Sequence, residues 1–201
     1  MPLIRKTTPA AVAPVDADRL AADLASASEE ARWSAAREVY ALPQGLDLLV
    51  TALKQETVPR VREALFTGLA RMATPDSAAA ALPYLRSDDA ALRTGALDAL
   101  RAMPNIAAGH LPSLLCDRDA DVRLLACEIA RVITAPEANL LLGQVLATEP
   151  TANVCAGAIE VLAEIGDASV VPALDACAAR FPDDPFLDFA IGAARARIGS
   201  R

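Results

Sequence analysis

The chain has 201 residues, 54% of them hydrophobic but only 3% aromatic, with a formal net charge of -7 and an isoelectric point near 4.7. Alanine and leucine must therefore build the core, which suits closely packed helices and suits a β-sheet poorly. The acidic balance opposes sequence-independent binding to DNA or RNA, and no run of about 18 apolar residues escapes a charge or a proline, so neither a nucleic-acid partner nor a membrane is expected.

Residues 1–15 hold Pro2, Pro9 and Pro14 and no helical period, and read as an extended or disordered N-terminal arm. Arg5 and Lys6 are followed by no adequate apolar stretch, so a secretory signal is not expected. If the arm carries a docking motif, Leu3-Ile4-Arg5-Lys6 is its candidate; an ordinary disordered tail is the favoured reading. From Asp16 onward the spacing predicts helix pairs at about 16–42, 43–73, 74–103, 104–134, 135–166 and 167–201. Pro43, Pro75, Pro104 and Pro136 stand where first helices would open, a position that tolerates the missing N–H. Ser28, Asp88-Asp89, Asp117 with Asp119, and Asp183-Asp184 precede the second helices, whose orphan amides they can cap.

The pairs share a period. Arg32, Arg62, Arg93 and Arg123 are separated by 30, 31 and 30 residues, in the contexts A-R-W-S-A, V-R-E-A-L, L-R-T-G-A and V-R-L-L-A. The same positions recur at Cys155 and Asp188, 32 and 33 residues further on, with the arginine lost. Such a period marks an array in which each unit buries its apolar face only against its neighbours. Three, four, six and seven residues after the arginine position come Leu65, Phe66, Gly68 and Leu69, then Ala96, Leu97, Ala99 and Leu100. Ala126, Cys127, Ile129 and Ala130 follow, then Ala158, Ile159, Val161 and Leu162. At 100° per residue these positions form one broad face, the expected core.

The pattern resembles the HEAT-repeat family, and especially the short bacterial HEAT-like repeats of phycobilin-lyase type, over about residues 16–200. The resemblance is carried by Asp89-Ala90-Ala91-Leu92-Arg93 and Asp119-Ala120-Asp121-Val122-Arg123, and by prolines inside first helices in Leu82-Pro83-Tyr84-Leu85, Leu111-Pro112-Ser113-Leu114 and Val171-Pro172-Ala173-Leu174. A proline there should bend its helix. The resemblance implies a right-handed α-solenoid of about six helix pairs. It also implies a structural ladder between units that joins Arg32, Arg62, Arg93 and Arg123 to acids such as Asp89 and Asp119. An arginine row binding an anionic ligand is the competing reading, and the fading of the ladder at Cys155 and Asp188 suggests a solvent-facing terminal unit.

Recognisable enzyme chemistry is sparse. His110 is the one histidine, without a Ser or Cys partner at triad spacing, and reads as a surface or interhelix residue. No G-x-G-x-x-G, G-K-[ST] or H-E-x-x-H occurs. Cys116, Cys127, Cys155 and Cys177 lack metal-ligand spacing and read as buried free thiols of a reducing cytoplasm. No metal and no cofactor is expected.

A surface is the better candidate. Second helices line the concave side of a HEAT array. One, five and eight residues after the arginine position their outward columns hold Trp33, Glu63, Thr94, Leu124, Ala156 and Phe189; Arg37, Thr67, Asp98, Glu128, Glu160 and Ala193; and Tyr40, Ala70, Arg101, Arg131, Ala163 and Ala196. The expected contact stripe is Trp33, Arg37, Tyr40, Asp98, Arg101, Leu124, Glu128, Arg131 and Glu160, with aromatic and arginine residues of the kind enriched in hot spots. Alternatively, Trp33 and Tyr40 pack under the arm, and Asp98–Arg101 and Glu128–Arg131 pair as a solvated face. The expected role is a non-catalytic scaffold or adaptor for a partner protein, in a cytoplasmic and bacterial setting. The alternative is a lyase or chaperone-like factor acting on a tetrapyrrole-carrying protein.

Overall fold

The computed structural model describes residues 16–200. The expected arm, Leu3-Ile4-Arg5-Lys6 included, lies outside the described residues. Helices follow one another in pairs: α1 (Ala17–Leu24) with α2 (Glu29–Ala36), and α3 (Gly45–Gln55) with α4 (Pro59–Met72). Next come α5 (Pro75–Ala81), prolonged by a 3-10 segment (Leu82–Arg86), with α6 (Ala90–Arg101). In the fourth pair the first helix is broken into α7 (Pro104–Ala107), a 3-10 turn (Ala108–His110) and α8 (Leu111–Leu114), and its partner is α9 (Ala120–Ala130). α10 (Ala135–Thr148) pairs with α11 (Ala152–Ile165), and a 3-10 turn (Ala168–Val170) leads into α12 (Val171–Arg180) and α13 (Pro185–Gly199). The described residues contain no strand. The fold is an all-α solenoid.

Local chemistry sets the helix ends. Ser28, Asp89, Asp119 and Asp184 are the N-caps of α2, α6, α9 and α13, each accepting a main-chain N–H of the first turn. Pro75, Pro104 and Pro136 stand in the first turn of α5, α7 and α10. Pro43 does not open a helix: it lies in the turn after a 3-10 segment (Val39–Ala41), and α3 begins only at Gly45. A Cβ at Gly45 would collide with the Val39 carbonyl, so this turn is closed too tightly for another residue. The prolines expected to bend first helices interrupt them. Pro83 sits within the 3-10 segment after α5, and Pro112 and Pro172 are the second residues of α8 and α12, just after the 3-10 turns that precede them.

The second helices α2, α4, α6, α9, α11 and α13 stack each on the next, and first helices such as α10 and α12 form a parallel row behind them. Between the rows runs one continuous core, and all but one of the sixteen predicted core positions are buried, Leu97 being half-buried. Fully buried Leu65, Leu69, Leu100, Ile129, Ile159 and Leu162 each contribute about 2 kcal/mol by leaving water. Small residues set how closely the stack closes. A Cβ on Gly95 of α6 would overlap the ring of Phe66 on α4, and a Cβ on Gly157 of α11 would stand 2.5 Å from Leu124 Cδ1 on α9. Cys127, Cys155 and Cys177 are buried thiols, but Cys116 is exposed, because the chain has left α8 for a turn by that point. Among the described residues, no helix is long and apolar enough to cross a membrane.

Candidate partner-binding surface

The arginine column is spent on holding the units together. Arg32 Nη1 donates to the carbonyl of Ser26, Arg62 Nε to that of Glu56, Arg93 Nη1 to that of Ser87 and Arg123 Nη1 to that of Asp117, at 2.6–3.0 Å. The acceptor is always six residues earlier, so each guanidinium ties its helix to the loop that leads into it. In Arg32, Arg62 and Arg123 the rest of the fork reaches forward. Arg32 and Arg123 make two-point pairs with Glu56 and Glu149 of the following unit, and Arg62 donates to Asp89 at 2.6 Å. Asp119, expected in the same ladder, caps its own helix and is exposed. Glu56 and Glu149, 8% and 5% exposed, are the acids the sequence reading missed. Burial alone would raise their pKa values; the arginine and the main-chain N–H groups they accept outweigh it, and both end below the ordinary carboxylate value. A signal was present. The position six before the arginine holds Ser26, Glu56, Ser87, Asp117 and Glu149, polar in the first five units with the same period, and Pro182 in the sixth.

At the fifth unit the arginine is Cys155, and its thiol faces the Glu149 carbonyl, again six residues earlier, at 3.6 Å. The missing guanidinium comes from elsewhere in the chain. Arg180, the last residue of α12, reaches across to the carbonyls of Leu146, Ala147 and Glu149 at 2.7–2.9 Å and closes on Cys155 Sγ at 3.7 Å. The cation is kept in space while its position in the sequence changes. This is an α-helical repeat protein.

The predicted contact stripe is largely occupied by the chain itself. Trp33 is half-buried, with the guanidinium of Arg37 4.4 Å and that of Arg60 4.0 Å from the centre of its ring. Arg71 stacks on Tyr40 at 4.0 Å and donates to its hydroxyl. Leu124 fills the space left open by Gly157. Arg131 is gripped by Glu128 at 3.1 Å, by Glu160 at 3.6 Å and by Glu164, and the hydrogen bonds from Glu128 and Glu164 raise its pKa further above the usual arginine value. The expected Glu128–Arg131 pair therefore forms, whereas among the described residues Asp98 and Arg101 form no ion pair with each other.

What stays open lies between α4 and α6. A groove of about 770 Å³ runs there, floored by Phe66, Ala70, Gly95 and Ala99 and edged by Thr67, Thr94, Glu63 and Asp98. Glu63, Thr67, Thr94 and Asp98 are exposed, and among the described residues neither carboxylate forms an ion pair. Phe66 is fixed by the ring of Tyr84, edge-on with centroids 5.4 Å apart. At the far end of the row Phe186 and Phe189 of α13 are 67% and 74% exposed. The terminal unit, expected to face solvent, thus presents bare aromatic rings, a patch the stripe had omitted.

Other groups offer little reactivity. Burial pushes the Cys127 and Cys177 thiols up to about 12 and also raises Cys155, so none carries a thiolate at neutral pH. His110 is half-buried in the turn before α8, where its carbonyl accepts the Ser113 hydroxyl. Among the described residues no three His, Cys, Asp or Glu side chains converge as a metal site would require.

The chain matches no family model and no curated protein. Among solved structures it is similar to the complex of CpcE and CpcF of phycocyanin lyase from Nostoc, at 14% identity and a TM-score of 0.47, over 98% of this chain and 100% of the other. It is also similar to an engineered protein, at 20% identity and a TM-score of 0.46, over 92% and 97% of the two chains. A designed armadillo repeat protein aligns at 14% identity and a TM-score of 0.42, over 91% and 100%. None of these likenesses assigns a ligand or an activity to this chain.

Proposed function

We propose that this chain is a HEAT-type scaffold or adaptor that performs no catalysis and holds a partner protein against the face formed by its second helices. The observation that carries the reading is the groove between α4 and α6: it is open, apolar at its floor and edged by the carboxylates of Glu63 and Asp98, which make no ion pair among the described residues. An apolar floor with a few placed polar groups is the make-up of a recognition site. Trp33, Tyr40 and Arg131 are not its contact residues, since their favourable partners are already supplied within the chain; of the three, only Tyr40 borders the groove, through Arg71.

The test is a comparison of the tagged chain with its Thr67→Trp, Thr94→Trp variant, which fills the groove from two exposed positions. A partner captured by the first is purified and titrated against both. A loss of affinity of at least about tenfold in the variant fits the reading, that being a change of about 1.4 kcal/mol. Equal affinity removes the groove from the binding surface, and failure to capture any protein removes the scaffold. Absorbance spectra with added bilin or haem are recorded alongside. A shift on mixing would favour the tetrapyrrole alternative.

A further inference from the structure

A second site lies on the first-helix row. Asn139 of α10 is 6% exposed, and neither its Oδ1 nor its Nδ2 has a hydrogen-bond partner among the described residues. The Asp167 carboxylate is close by. It is held below its ordinary pKa first by the Ser169 hydroxyl and N–H, and to a smaller degree by the Asn139 amide. That approach concerns Nδ2 alone and falls short of hydrogen-bond geometry, so Oδ1 is orphaned either way. A buried carboxamide left in this condition is unfavourable and calls for a complement.

The surroundings say what the complement is. Asn139 lines a groove of about 500 Å³ between α10 and α12, whose other walls include Pro136, Leu140, Gly143, Pro172 and Ala173. Leu140 is 62% exposed, one of three large apolar side chains left bare among the described residues. Gly143 keeps the groove open, since a Cβ there would still be 3.9 Å from the Ala173 Cβ. A hydrocarbon ligand would cover Leu140 and leave the carboxamide unmatched. An anion would be repelled by Asp167. One peptide unit presents an N–H and a C=O together, as a carboxamide does in the opposite sense, and carries a side chain beside them.

We propose that this groove docks an extended main-chain segment of a partner protein: one peptide N–H donates to Asn139 Oδ1, an adjacent C=O accepts from Nδ2, and a neighbouring apolar side chain covers Leu140. The site is independent of the α4–α6 groove and stands whether or not that groove binds anything.

The probe is N-acetylleucine N-methylamide, titrated into the full-length ¹⁵N-labelled chain. The Asn139 side-chain amide signals, identified by their disappearance in Asn139→Leu, shift saturably together with the main-chain signals of Gly143 and Ala173. N-acetylleucine methyl ester, which lacks one N–H, binds about fivefold more weakly, the loss expected for one hydrogen bond. In Asn139→Leu the groove signals no longer respond, and Tm rises by about 2 °C or more because a buried orphan has gone. Gly143→Val, which leaves Asn139 in place and fills the groove, also abolishes the response. The proposal is overturned if the wild type shows no shift up to the solubility of the probe, or if Asn139→Leu responds as the wild type does. A lower Tm in Asn139→Leu overturns it too, since the carboxamide would then be satisfied in the free chain.

Discussion

Arg123 and Glu149 show how much one residue of the ladder carries. Their side chains are 12% and 5% exposed, and the two-point contact is backed by the Thr151 N–H on the carboxylate and the Asp117 carbonyl on the guanidinium. Arg123→Ala strands a buried carboxylate and should cost about 3–5 kcal/mol in urea denaturation, whereas an apolar replacement of both partners should cost much less. An Arg123→Ala loss below about 1 kcal/mol would show the pair to be ornamental. The pH dependence follows from the depressed Glu149 pKa. Its contribution is present above the unfolded value of about 4.5 and is lost as pH falls through the lower folded value. Arg123→Ala should therefore flatten the acid limb of the stability profile or reverse its slope. A different residue is held against its preference: Ala73, after α4, has φ 48°, the left-handed conformation that glycine adopts at helix ends. Ala73→Gly should raise stability by about 0.5–1 kcal/mol, read as a Tm rise of about 2 °C. An unchanged or lower Tm would mean that glycine's added freedom in the unfolded chain cancels the relief.

Helices in the stack keep their distance through a few contacts, and those contacts differ in stiffness. The Phe66 ring that meets Gly95 is itself wedged against Tyr84, so it cannot turn aside, whereas Leu124 presents a flexible methyl end to Gly157. Gly95→Ala should therefore destabilise by about 1–3 kcal/mol and narrow the α4–α6 groove, and Gly157→Ala should cost less. Thermal denaturation of the two variants side by side decides it; the opposite ranking would mean that the helices slide and the rings do not resist. This also marks where the sequence was legible. Helix pairs, caps and the core face follow from period and residue type, which are local properties, and those are the features the chain spelled out. Contacts between units are set by register across a gap of some thirty residues, which no single window contains. Hence Asp119, expected both as a cap and as a rung, is the cap, while Glu56 and Glu149 went unread although they repeat in the same register. Arg180 was harder still, because it restores at α12 a cation that the period places at Cys155, and nothing in its own neighbourhood announces that. For the groove, outward columns named Glu63, Thr67, Thr94 and Asp98 correctly as surface, but only the packing shows that Trp33 and Arg131 are already engaged while these are not.

A solenoid has no long-range contacts to average out a weak joint, so its behaviour as a whole is governed by the thinnest interface along the row. Here that interface is the one between α6 and α9. Of the contacts between successive second helices the one between α6 and α9 is the sparsest, although α9 also touches the 3-10 segment before α6. The arginine column repeats the weakness: Arg32, Arg62 and Arg123 each grip an acid of the next unit, whereas the bond resolved for Arg93 goes back to the Ser87 carbonyl of its own unit. The Arg86–Asp117 ion pair spans this junction, but Arg86 is half solvent-exposed, so the contact is worth little beside a buried two-point pair. The chain should accordingly open as two blocks, residues 16–101 and 104–200, before either block melts internally. Hydrogen exchange followed by mass spectrometry in mild denaturant reads this directly. Amides of α9, α11 and α13 should exchange at one common free energy and those of α2, α4 and α6 at another, with Met103 and its neighbours between them the least protected. Arg123→Ala should lower the 104–200 block alone and leave the 16–101 block where it was. A single opening free energy for all six second helices, shifted as one by Arg123→Ala, would show instead that the α6–α9 joint transmits cooperativity as well as the broad ones do. The nearest-neighbour account of this molecule would then fail at the place where it makes its sharpest claim.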